Sequence, residues 1–272
     1  MKRASFRQCV FLLTIYNEMK GSEKMKEIQI SRAIIEQYIA KLLDRLENDV
    51  VIAGSGPAGL AAAYYLAKNG VKTTVIERKL AIGGGMWGGA AGFNEIVLED
   101  SEILDEIGIP SKKKDGLTIV DSVEFATTLC SKTIAAGAVV FNLTDIEDII
   151  VKKNTVCGVV VNGTGIKLAK LHVDPFCISA KFVIDSTGHP AELVAMLKNR
   201  NEDFHIKKIG EGFMDVETSE AGVVEKTGEI FKGLYVAGMS VCSAYNLPRM
   251  GPIFGGMLKS GKKVAGLINA KL

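Results

Sequence analysis

Residues 49–78 read DVVIAGSGPAGLAAAYYLAKNGVKTTVIER and decide the fold of the chain. A β-branched apolar run from Val50 leads directly into a Gly-rich turn, an Ala/Leu-rich stretch of helical composition and a second apolar strand that ends at Glu77. Strand, turn, helix, strand and acid at this spacing are typical of a dinucleotide-binding unit. The free N–H groups at the start of such a helix face the phosphates of the ligand.

Each glycine of the turn has a separate predicted role. Gly54 permits the tight turn, Gly56 lets the backbone approach a pyrophosphate, and Gly59 lets the helix pack close to the strand. Glu77 follows Gly59 by 18 residues, where a carboxylate can accept hydrogen bonds from both hydroxyls of an adenosine ribose. The alternative is a Gly-rich turn in an α/β domain that binds no ligand.

The composition indicates one large domain or two small ones. The chain has 272 residues, 47% of them hydrophobic, and a formal net charge of +2, which is too small to favour nucleic acid or a membrane surface as a partner. Its five cysteines are scattered without a CxxC pair, which indicates a reducing, cytoplasmic setting and no disulfide framework. We expect residues 1–24 to be a disordered extension or an over-called start, and residues 25–272 to form a single dinucleotide-binding domain.

A second glycine-rich stretch, GGGMWGGAAG at 83–92, suits neither a helix nor a strand. We expect it to line a ligand site, because it follows the acid of the second strand and contains Trp87, the chain's single tryptophan. A flexible surface loop is the alternative.

The rest of the pattern predicts an α/β, Rossmann-like two-dinucleotide-binding (FAD/NAD-binding type) fold with a small β-meander insertion. The insertion is predicted from short strands at 138–143, 145–151 and 157–161. The other predicted elements are helices over 28–46, 98–107, 122–136 (capped by Ser122), 190–197 and 257–267, strands over 180–185 and 228–238, exposed turns at 110–114 and 162–165, and a polar, Gly-interrupted stretch over 199–222.

The residue that follows a late strand indicates which dinucleotide to expect. Flavoproteins of this architecture end that strand with Gly-Asp, whose carboxylate accepts hydrogen bonds from the flavin's ribityl chain. Here the strand ends at Gly238 and is followed by Met239, which can pack on a ring but cannot accept those bonds. NAD, with Glu77 on its adenosine ribose, is therefore the expected dinucleotide.

Two histidines lie beside other polar residues in loop-like contexts. His172 and Asp174 alternate across one residue and face the same way if the segment is extended, and His189 lies in the separate segment STGHP. A carboxylate and an imidazole with few further protein ligands suit a divalent transition metal such as Fe(II), with open positions for substrate. A turn-forming Asp-Pro pair and a hydrogen-bonded core histidine are the structural alternative.

At these residues the sequence resembles the thiamine thiazole synthase family, and more closely its archaeal, sulfide-dependent branch. The resemblance covers roughly residues 28–270 and is carried by GSGPAGL at 54–60, ER at 77–78, the GGGMWGG run, the VDP and STGH segments, and GLYVAGM followed by PRMGPIFGGM. It implies synthesis of the adenylated thiazole carboxylate, the precursor of the thiazole of thiamine, from NAD, glycine and a sulfur source.

The resemblance also implies roles for single residues. The NAD-derived adenosine diphosphate would be held by Ser55, Glu77, Arg78 and Gly85, with Met239 along the nucleotide. Arg249 would pair with the carboxylate of glycine, which fits the fork of a guanidinium. Fe(II) would be bound by Asp174 and His189, with Asp174 reaching the site of a neighbouring subunit in a homo-octamer.

One departure from the family pattern bears on the sulfur source. Eukaryotic members carry a cysteine two residues before the Asp of the VDP segment and sacrifice its sulfur, so that each chain turns over once. His172 stands at that position here. The sulfur must then come from outside, most simply as free sulfide, and His172 becomes a candidate catalytic residue, as general base or by orienting an intermediate.

Three other functions compete with this interpretation. A flavin-dependent oxidoreductase would use the same fold, but Met239 argues against it. A sugar-phosphate isomerase would leave Glu77 and the Gly-rich turn unexplained. A non-enzymatic NAD-binding regulator would not need Asp174 and His189, and a single-use sulfur donor would need a cysteine in place of His172.

Overall fold

The structure is a computed structural model that describes residues 25–206 and 208–272. Residues 1–24, predicted to be an extension or an over-called start, lie outside the described residues. By internal contacts the chain divides into two units, the second of which spans Leu46–Leu272. The described part of the first unit is helix α1 (Lys26–Asp44), as the periodicity predicts. The assignment of residues 25–272 to one domain stays a prediction.

The second unit is an α/β structure built on a largely parallel sheet. Its elements are, in chain order, β1 (Glu47–Ala53), α2 (Pro57–Lys68), β2 (Thr73–Ile76), a 3-10 turn (Met86–Gly88), β3 (Glu95–Leu98), α3 (Glu102–Ile107), β4 (Lys112–Lys114), β5 (Leu117–Asp121), α4 (Ser122–Ala135), β6 (Val139–Phe141), β7 (Thr144–Lys152), β8 (Thr155–Gly163), α5 (Thr164–Leu168), β9 (Phe176–Asp185), α6 (Glu192–Arg200), α7 (Val216–Lys226), β10 (Gly228–Phe231), β11 (Leu234–Val236), α8 (Met239–Tyr245) and α9 (Gly255–Asn269).

The parallel core of the sheet has the strand order β11-β9-β1-β2-β6. Residues Val50–Ile52 of β1 are fully buried, as expected for a central parallel strand covered on both faces. Helix α2 packs between α9 and α4 on one face. The carboxyl ends of β1, β2 and β9 open at the same edge of the sheet, which is where ligands bind in open α/β folds.

The predicted meander is present and explains the length of β9. Strands β7 and β8 pair as an antiparallel hairpin, and β8 then pairs with the first half of β9, from Phe176 to Ser179. The second half of β9 joins the parallel core between β1 and β11. Strand β9 therefore begins before residue 180, where the apolar pattern alone places its start.

One predicted helix is shorter than expected, and one predicted turn is a strand. The helix predicted over 98–107 begins only at Glu102, because Ile96 and Leu98 alternate towards the core as residues of β3. Residues 112–114, predicted as an exposed turn, form strand β4 at the edge of a small antiparallel sheet with β5 and β3. The three lysines of β4 are exposed, and charged side chains are common on such edges.

Local contacts also shift several boundaries. The cap of α4 is Asp121 and not Ser122, since its carboxylate accepts hydrogen bonds from the N–H groups of Val123 and Glu124, both at 2.9 Å. Helix α5 begins inside the turn predicted at 162–165. Helix α7 begins inside the polar stretch 199–222, and the strand predicted over 228–238 is the hairpin of β10 and β11. None of the helices in the described part of the chain is long and apolar enough to cross a bilayer.

Candidate active site

A cavity of about 920 Å³ opens at the carboxyl ends of β1, β2 and β9. Its lining includes the Gly-rich turn after β1 and Glu77 and Arg78 after β2. It also includes the loop after β9, with His189, and residues of the segment 249–257, with Arg249. Predicted nucleotide-binding residues and two of the predicted chemical residues therefore share one space.

The glycines of the first turn face three different surroundings. Gly54 has φ +92°, and a Cβ there would lie 2.6 Å from the carbonyl oxygen of Ser186. A Cβ on Gly59 would lie 2.2 Å from the carbonyl oxygen of Gly54, so the helix and the turn touch through this residue. A Cβ on Gly56 meets nothing within 4 Å, because this residue faces the cavity. Gly56 is also the N-cap of α2 and makes no side-chain cap, so the N–H groups of the first turn remain available to a ligand.

Glu77 is buried, and the Gly-rich turn after β1 holds its carboxylate by hydrogen bonds. One of its oxygens accepts hydrogen bonds from the backbone N–H and the hydroxyl of Ser55, at 3.0 and 2.6 Å. The other accepts from the N–H of Lys79 at 2.8 Å. A carboxylate has about four acceptor positions, so Glu77 keeps capacity for a hydroxyl donor from the cavity.

Two ion pairs border the cavity beside Glu77. Arg78 pairs with Glu192 at the start of α6, and Asp145 of β7 pairs with Lys167 of α5. All but Lys167 line the cavity. Arg78 is thus positioned by the protein itself and does not project freely into solvent.

The second glycine-rich stretch lies against the first. A Cβ on Gly84 would lie 3.0 Å from the Cα of Gly56, and Gly85 faces the cavity. The indole N–H of Trp87 donates to the carbonyl of Ile82 at 2.8 Å and closes the loop on itself. The cavity is lined by Gly84, Gly85 and Gly89 of this loop, and the tryptophan holds the shape of the loop.

A buried carboxylate that sequence reasoning missed organises the loop after β9. Asp185 is fully buried and accepts hydrogen bonds from five donors, namely the N–H and hydroxyl of Thr187, the N–H groups of Leu193 and Val194, and the hydroxyl of Ser240. These bonds tie β9 to the starts of α6 and α8. The available signal was an acid at the end of an apolar strand, in VIDSTG.

A second missed carboxylate, Glu211, joins two predicted site residues. Its Oε1 lies 2.7 Å from Nδ1 of His189, and its Oε2 lies 3.7 Å from Nε of Arg249. The side chain of Glu211 is 7% exposed, against 59% for each of its partners. No motif marks Glu211, which lies in the stretch that reads only as polar and Gly-interrupted.

Met239 begins α8 at the wall of the cavity. The preceding Gly238 has φ +62°, and a Cβ there would lie 2.6 Å from Cβ of Ala58 in α2. The N–H of Gly238 donates to the hydroxyl of Ser260 at 2.8 Å. The start of α8 therefore packs tightly on the start of α2, which places the Met239 position beside the Gly-rich turn.

The structure does not bring the predicted metal ligands together within one chain. His172 and Asp174 lie exposed in the segment before β9, whereas the cavity is lined by His189. Among residues 25–206 and 208–272 no group of three or more His, Cys, Asp or Glu could hold a metal ion. His189 does offer an imidazole whose Nδ1 is already engaged, which leaves Nε2 as the ring nitrogen that could hold a metal ion.

The fold and the cavity together define a dinucleotide-binding protein of the Rossmann type. Its sheet order, its Gly-rich turn and the acid after β2 are the parts of that class. The chain belongs to the Thi4 family, whose family model matches residues 31–254.

Named relatives agree with this assignment. The chain is 50% identical over 252 residues to the thiamine thiazole synthase of Thermococcus kodakarensis and 49% identical over 251 residues to that of Thermotoga maritima, covering 91% of this chain and 99% of each relative. The crystal structure of Thermovibrio ammonificans THI4 superposes with a TM-score of 0.88 at 46% identity, over 92% of this chain and 99% of that one. The L-proline dehydrogenase of P. horikoshii, at 15% identity and a TM-score of 0.50, shares the fold alone. The family resemblance and the fold class predicted from the sequence are confirmed.

Proposed function

We propose that this protein is a thiamine thiazole synthase that forms the adenylated thiazole carboxylate from NAD, glycine and sulfide over many turnovers. The observation that carries the proposal is one cavity lined both by the Gly-rich turn and Glu77 and by His189 and Arg249. Membership of the Thi4 family and the names of the curated relatives support an enzyme of thiazole synthesis.

The nucleotide end of the cavity suits adenosine diphosphate. The uncapped first turn of α2 offers N–H groups and the positive end of its dipole to a pyrophosphate, with Ser55 and the two glycines Gly56 and Gly85 beside it. Glu77 accepts hydrogen bonds from the ribose hydroxyls, and Arg78, held by Glu192, flanks them. Met239 packs along the nucleotide without offering an acceptor to a ribityl chain.

The chemical end of the cavity suits a small amino acid. The guanidinium of Arg249 is 59% exposed in the cavity wall and can bind the carboxylate of glycine through two parallel hydrogen bonds. These hydrogen bonds would place the amine of glycine inside the cavity that holds the ribose. NAD then serves as a carbon substrate and not as a hydride carrier.

The proposed reaction begins with cleavage of the nicotinamide–ribose bond, which the positive charge of the pyridinium ring assists. The freed ADP-ribose opens to its carbonyl form, the amine of glycine condenses with it, and rearrangement leaves a ketone next to the imine. Sulfide then replaces the oxygen of the ketone, which leaves as water, and the sulfur closes the ring on the glycine-derived carbon. Further losses of water give the aromatic thiazole, and no oxidant is needed. Through these steps the chain holds the diphosphate and ribose at one end and the glycine carboxylate at the other.

Fe(II), when bound, would supply a Lewis-acidic centre at which sulfide and substrate meet. His189 would hold it through Nε2, and Asp174 of a second copy would complete the protein ligands in a homo-oligomer, expected to be an octamer. His172 carries no sulfur, so the sulfur comes from solution. Its imidazole serves as a general base or orients an intermediate.

The deciding experiment is anaerobic incubation of the purified protein with NAD, glycine, Fe(II) and sulfide, followed by mass spectrometry of the small molecules and of the protein. We expect adenylated thiazole well beyond one equivalent per chain and none when sulfide is omitted. Product limited to one equivalent, with the protein lighter by one sulfur atom, would instead identify a cysteine as the donor. A bound flavin without product would favour the oxidoreductase, and absence of product together with turnover of a sugar phosphate in a separate assay would favour the isomerase.

A further inference from the structure

Glu211 lies behind the wall of the cavity and contacts two residues that the sequence assigns to different tasks. Its Oε1 is 2.7 Å from Nδ1 of His189, and its Oε2 is 3.7 Å from Nε of Arg249. The cavity is lined by His189 and Arg249, and Glu211 stands behind them with a side chain 7% exposed. One carboxylate therefore reaches the predicted metal ligand and the predicted glycine-binding residue at once.

The backbone around Glu211 is fixed on both sides. The N–H of Gly210 donates to the carbonyl of Ser243 at 3.0 Å, and the N–H of Gly212 donates to the carbonyl of Leu247 at 2.9 Å. The side-chain amide of Asn246 donates to the carbonyl of Gly210 at 2.8 Å. The carboxylate is thus held by the end of α8 and the residues that follow it, not by a free loop.

Both partners of Glu211 are tied to the same support. The hydroxyl of Ser243 in α8 donates to the carbonyl of His189. The N–H of Arg249 donates to the carbonyl of Phe213 at 3.1 Å, two residues beyond Glu211. The three side chains therefore sit on backbone segments that are hydrogen-bonded to one another, which limits their freedom before any ligand binds.

The contact with His189 determines which ring nitrogen carries the proton. A carboxylate only accepts hydrogen bonds, so the neutral imidazole must donate from Nδ1 and leave Nε2 as the bare nitrogen. A bare Nε2 backed by a carboxylate on Nδ1 is the arrangement that favours binding of a metal by histidine. Oε2 lies 3.7 Å from Nε of Arg249, an ion-pair distance too long for a hydrogen bond, so the carboxylate attracts the guanidinium towards the Nε side.

We infer that Glu211 is a positioning residue that orients His189 for a divalent metal and Arg249 for the carboxylate of glycine. This inference rests on the proposed function for the identity of those two ligands. Glu211 itself touches neither ligand, and its effect passes through the two side chains it holds.

Two substitutions separate the two roles. Glu211→Gln keeps an acceptor for the Nδ1 proton of His189 but turns an amide towards Arg249 in place of a negative charge. Glu211→Ala removes both contacts. The exposed Glu202, nine residues away, supplies the matched control Glu202→Gln.

The first readout is binding of Co(II), used as an air-stable stand-in for Fe(II), by calorimetry. We expect Glu211→Ala to weaken Co(II) binding by roughly 10- to 100-fold, the usual effect of losing a carboxylate behind a metal-binding histidine, with a much smaller effect of Glu211→Gln. In turnover assays Glu211→Gln should raise KM for glycine by roughly two- to fivefold more than KM for NAD, since the ion pair with the exposed Arg249 is lost. Equal losses in both variants, with lowered melting temperatures, would mean a merely structural role and overturn the inference.

The second readout needs neither metal nor substrate. The chain has three histidines, so ¹⁵N labelling of their rings gives few signals, and His172 and His205 serve as internal references. We expect the His189 ring of the wild type and of Glu211→Gln to carry its proton on Nδ1, and that of Glu211→Ala to lose this preference. If the wild type makes no thiazole and binds no Co(II), the proposed function fails, yet the ring spectra still test Glu211. If the wild type is active and the Glu211 variants match it in every readout, the inference about Glu211 fails alone.

Discussion

The backbone N–H and the hydroxyl of Ser55 both donate to the same oxygen of Glu77, at 3.0 and 2.6 Å. The turn after β1 and the acid after β2 are 22 residues apart in the chain, and this pair of bonds fixes one to the other. The hydroxyl of Ser55 also accepts from the N–H of Gly83 at 3.2 Å, so both glycine-rich segments meet at this serine. The carboxylate proposed to bind ribose is thus set before the ligand arrives.

Ser55→Ala should weaken NAD binding by about tenfold, because a hydrogen bond to a charged acceptor contributes about 1.5–3 kcal/mol and Glu77 would lose its shortest one. Calorimetric titration with NAD measures the effect. Ser131→Ala, on the exposed side of α4, is the matched control and should bind NAD as the wild type does. Unchanged affinity in Ser55→Ala would show that Glu77 needs no such support.

The glycines of the turn give a matched pair of substitutions. Gly59→Ala places a Cβ 2.2 Å from a backbone oxygen, so we expect it to lower the free energy of unfolding by about 3 kcal/mol or more. Gly56→Ala meets nothing within 4 Å, and φ at Gly56 is −69°, so the fold should be kept or stabilised by a few tenths of a kcal/mol. Its methyl group would instead occupy the approach to the pyrophosphate and abolish NAD binding.

Thermal unfolding and NAD titration on both glycine variants check this pair. A Gly56→Ala protein that still binds NAD tightly would contradict the proposed position of the diphosphate. A Gly59→Ala protein of wild-type stability would contradict the close contact of α2 with the turn.

Glu220 of α7 makes stability depend on pH. It is 4% exposed, and its Oε2 accepts from the N–H of Gly256 at the start of α9 at 2.7 Å, while its Oε1 has no hydrogen-bond partner among the residues the structure describes. Burial, followed by the nearby charge of Glu99, raises the pKa of Glu220 to about 7 from 4.5. Asp100 adds to the increase, and Lys259 of α9 opposes it.

The pKa of Glu220 is higher in the folded chain than in the unfolded one, so folding takes up a proton at any pH between these two pKa values. The free energy of unfolding therefore falls as pH rises from 4.5 through about 7. Glu220→Gln keeps the acceptor for Gly256 and removes the charge. We expect its stability relative to the wild type to increase by up to about 3 kcal/mol between pH 4.5 and 8. Denaturant unfolding across this range measures the difference. Glu217→Gln, on the exposed face of the same helix, should show no such increase.

Complementation tests the proposal that Asp174 of one chain serves the site of another. Asp174→Ala and His189→Ala should each abolish thiazole formation, because both would remove a protein ligand of the metal. Mixed oligomers made by co-expressing the two variants in equal amounts should recover about a quarter of the wild-type activity, since random mixing pairs an intact His189 with an intact Asp174 at that frequency. Inactive mixed oligomers would place both residues in the site of the same chain, and active single variants would place them outside the site.

Much of the fold is readable from the chain because its signals are local. The apolar run of β1, the helical composition of α2 and the Gly-rich turn between them each depend on residues a few positions apart. The residues 112–114 show where this fails, because three lysines look like a turn until β5 is present to pair with them. The prediction of where β9 begins fails for the same reason, because its first residues form a strand only by pairing with β8.

The sequence by itself determined the Rossmann-type unit, the family, and the Gly-rich lining of the cavity, because steric demands on Gly54, Gly56 and Gly59 and the spacing to Glu77 leave few other arrangements. Only the tertiary structure decided that Asp185, Glu211 and Glu220 matter. Each is a carboxylate whose importance comes from burial and from a partner distant in the chain, namely Ser240 for Asp185, His189 for Glu211 and Gly256 for Glu220. It also decided that His172 and Asp174 lie apart from His189 within one chain, because β9 carries their segment away from the cavity edge where its own carboxyl end places His189.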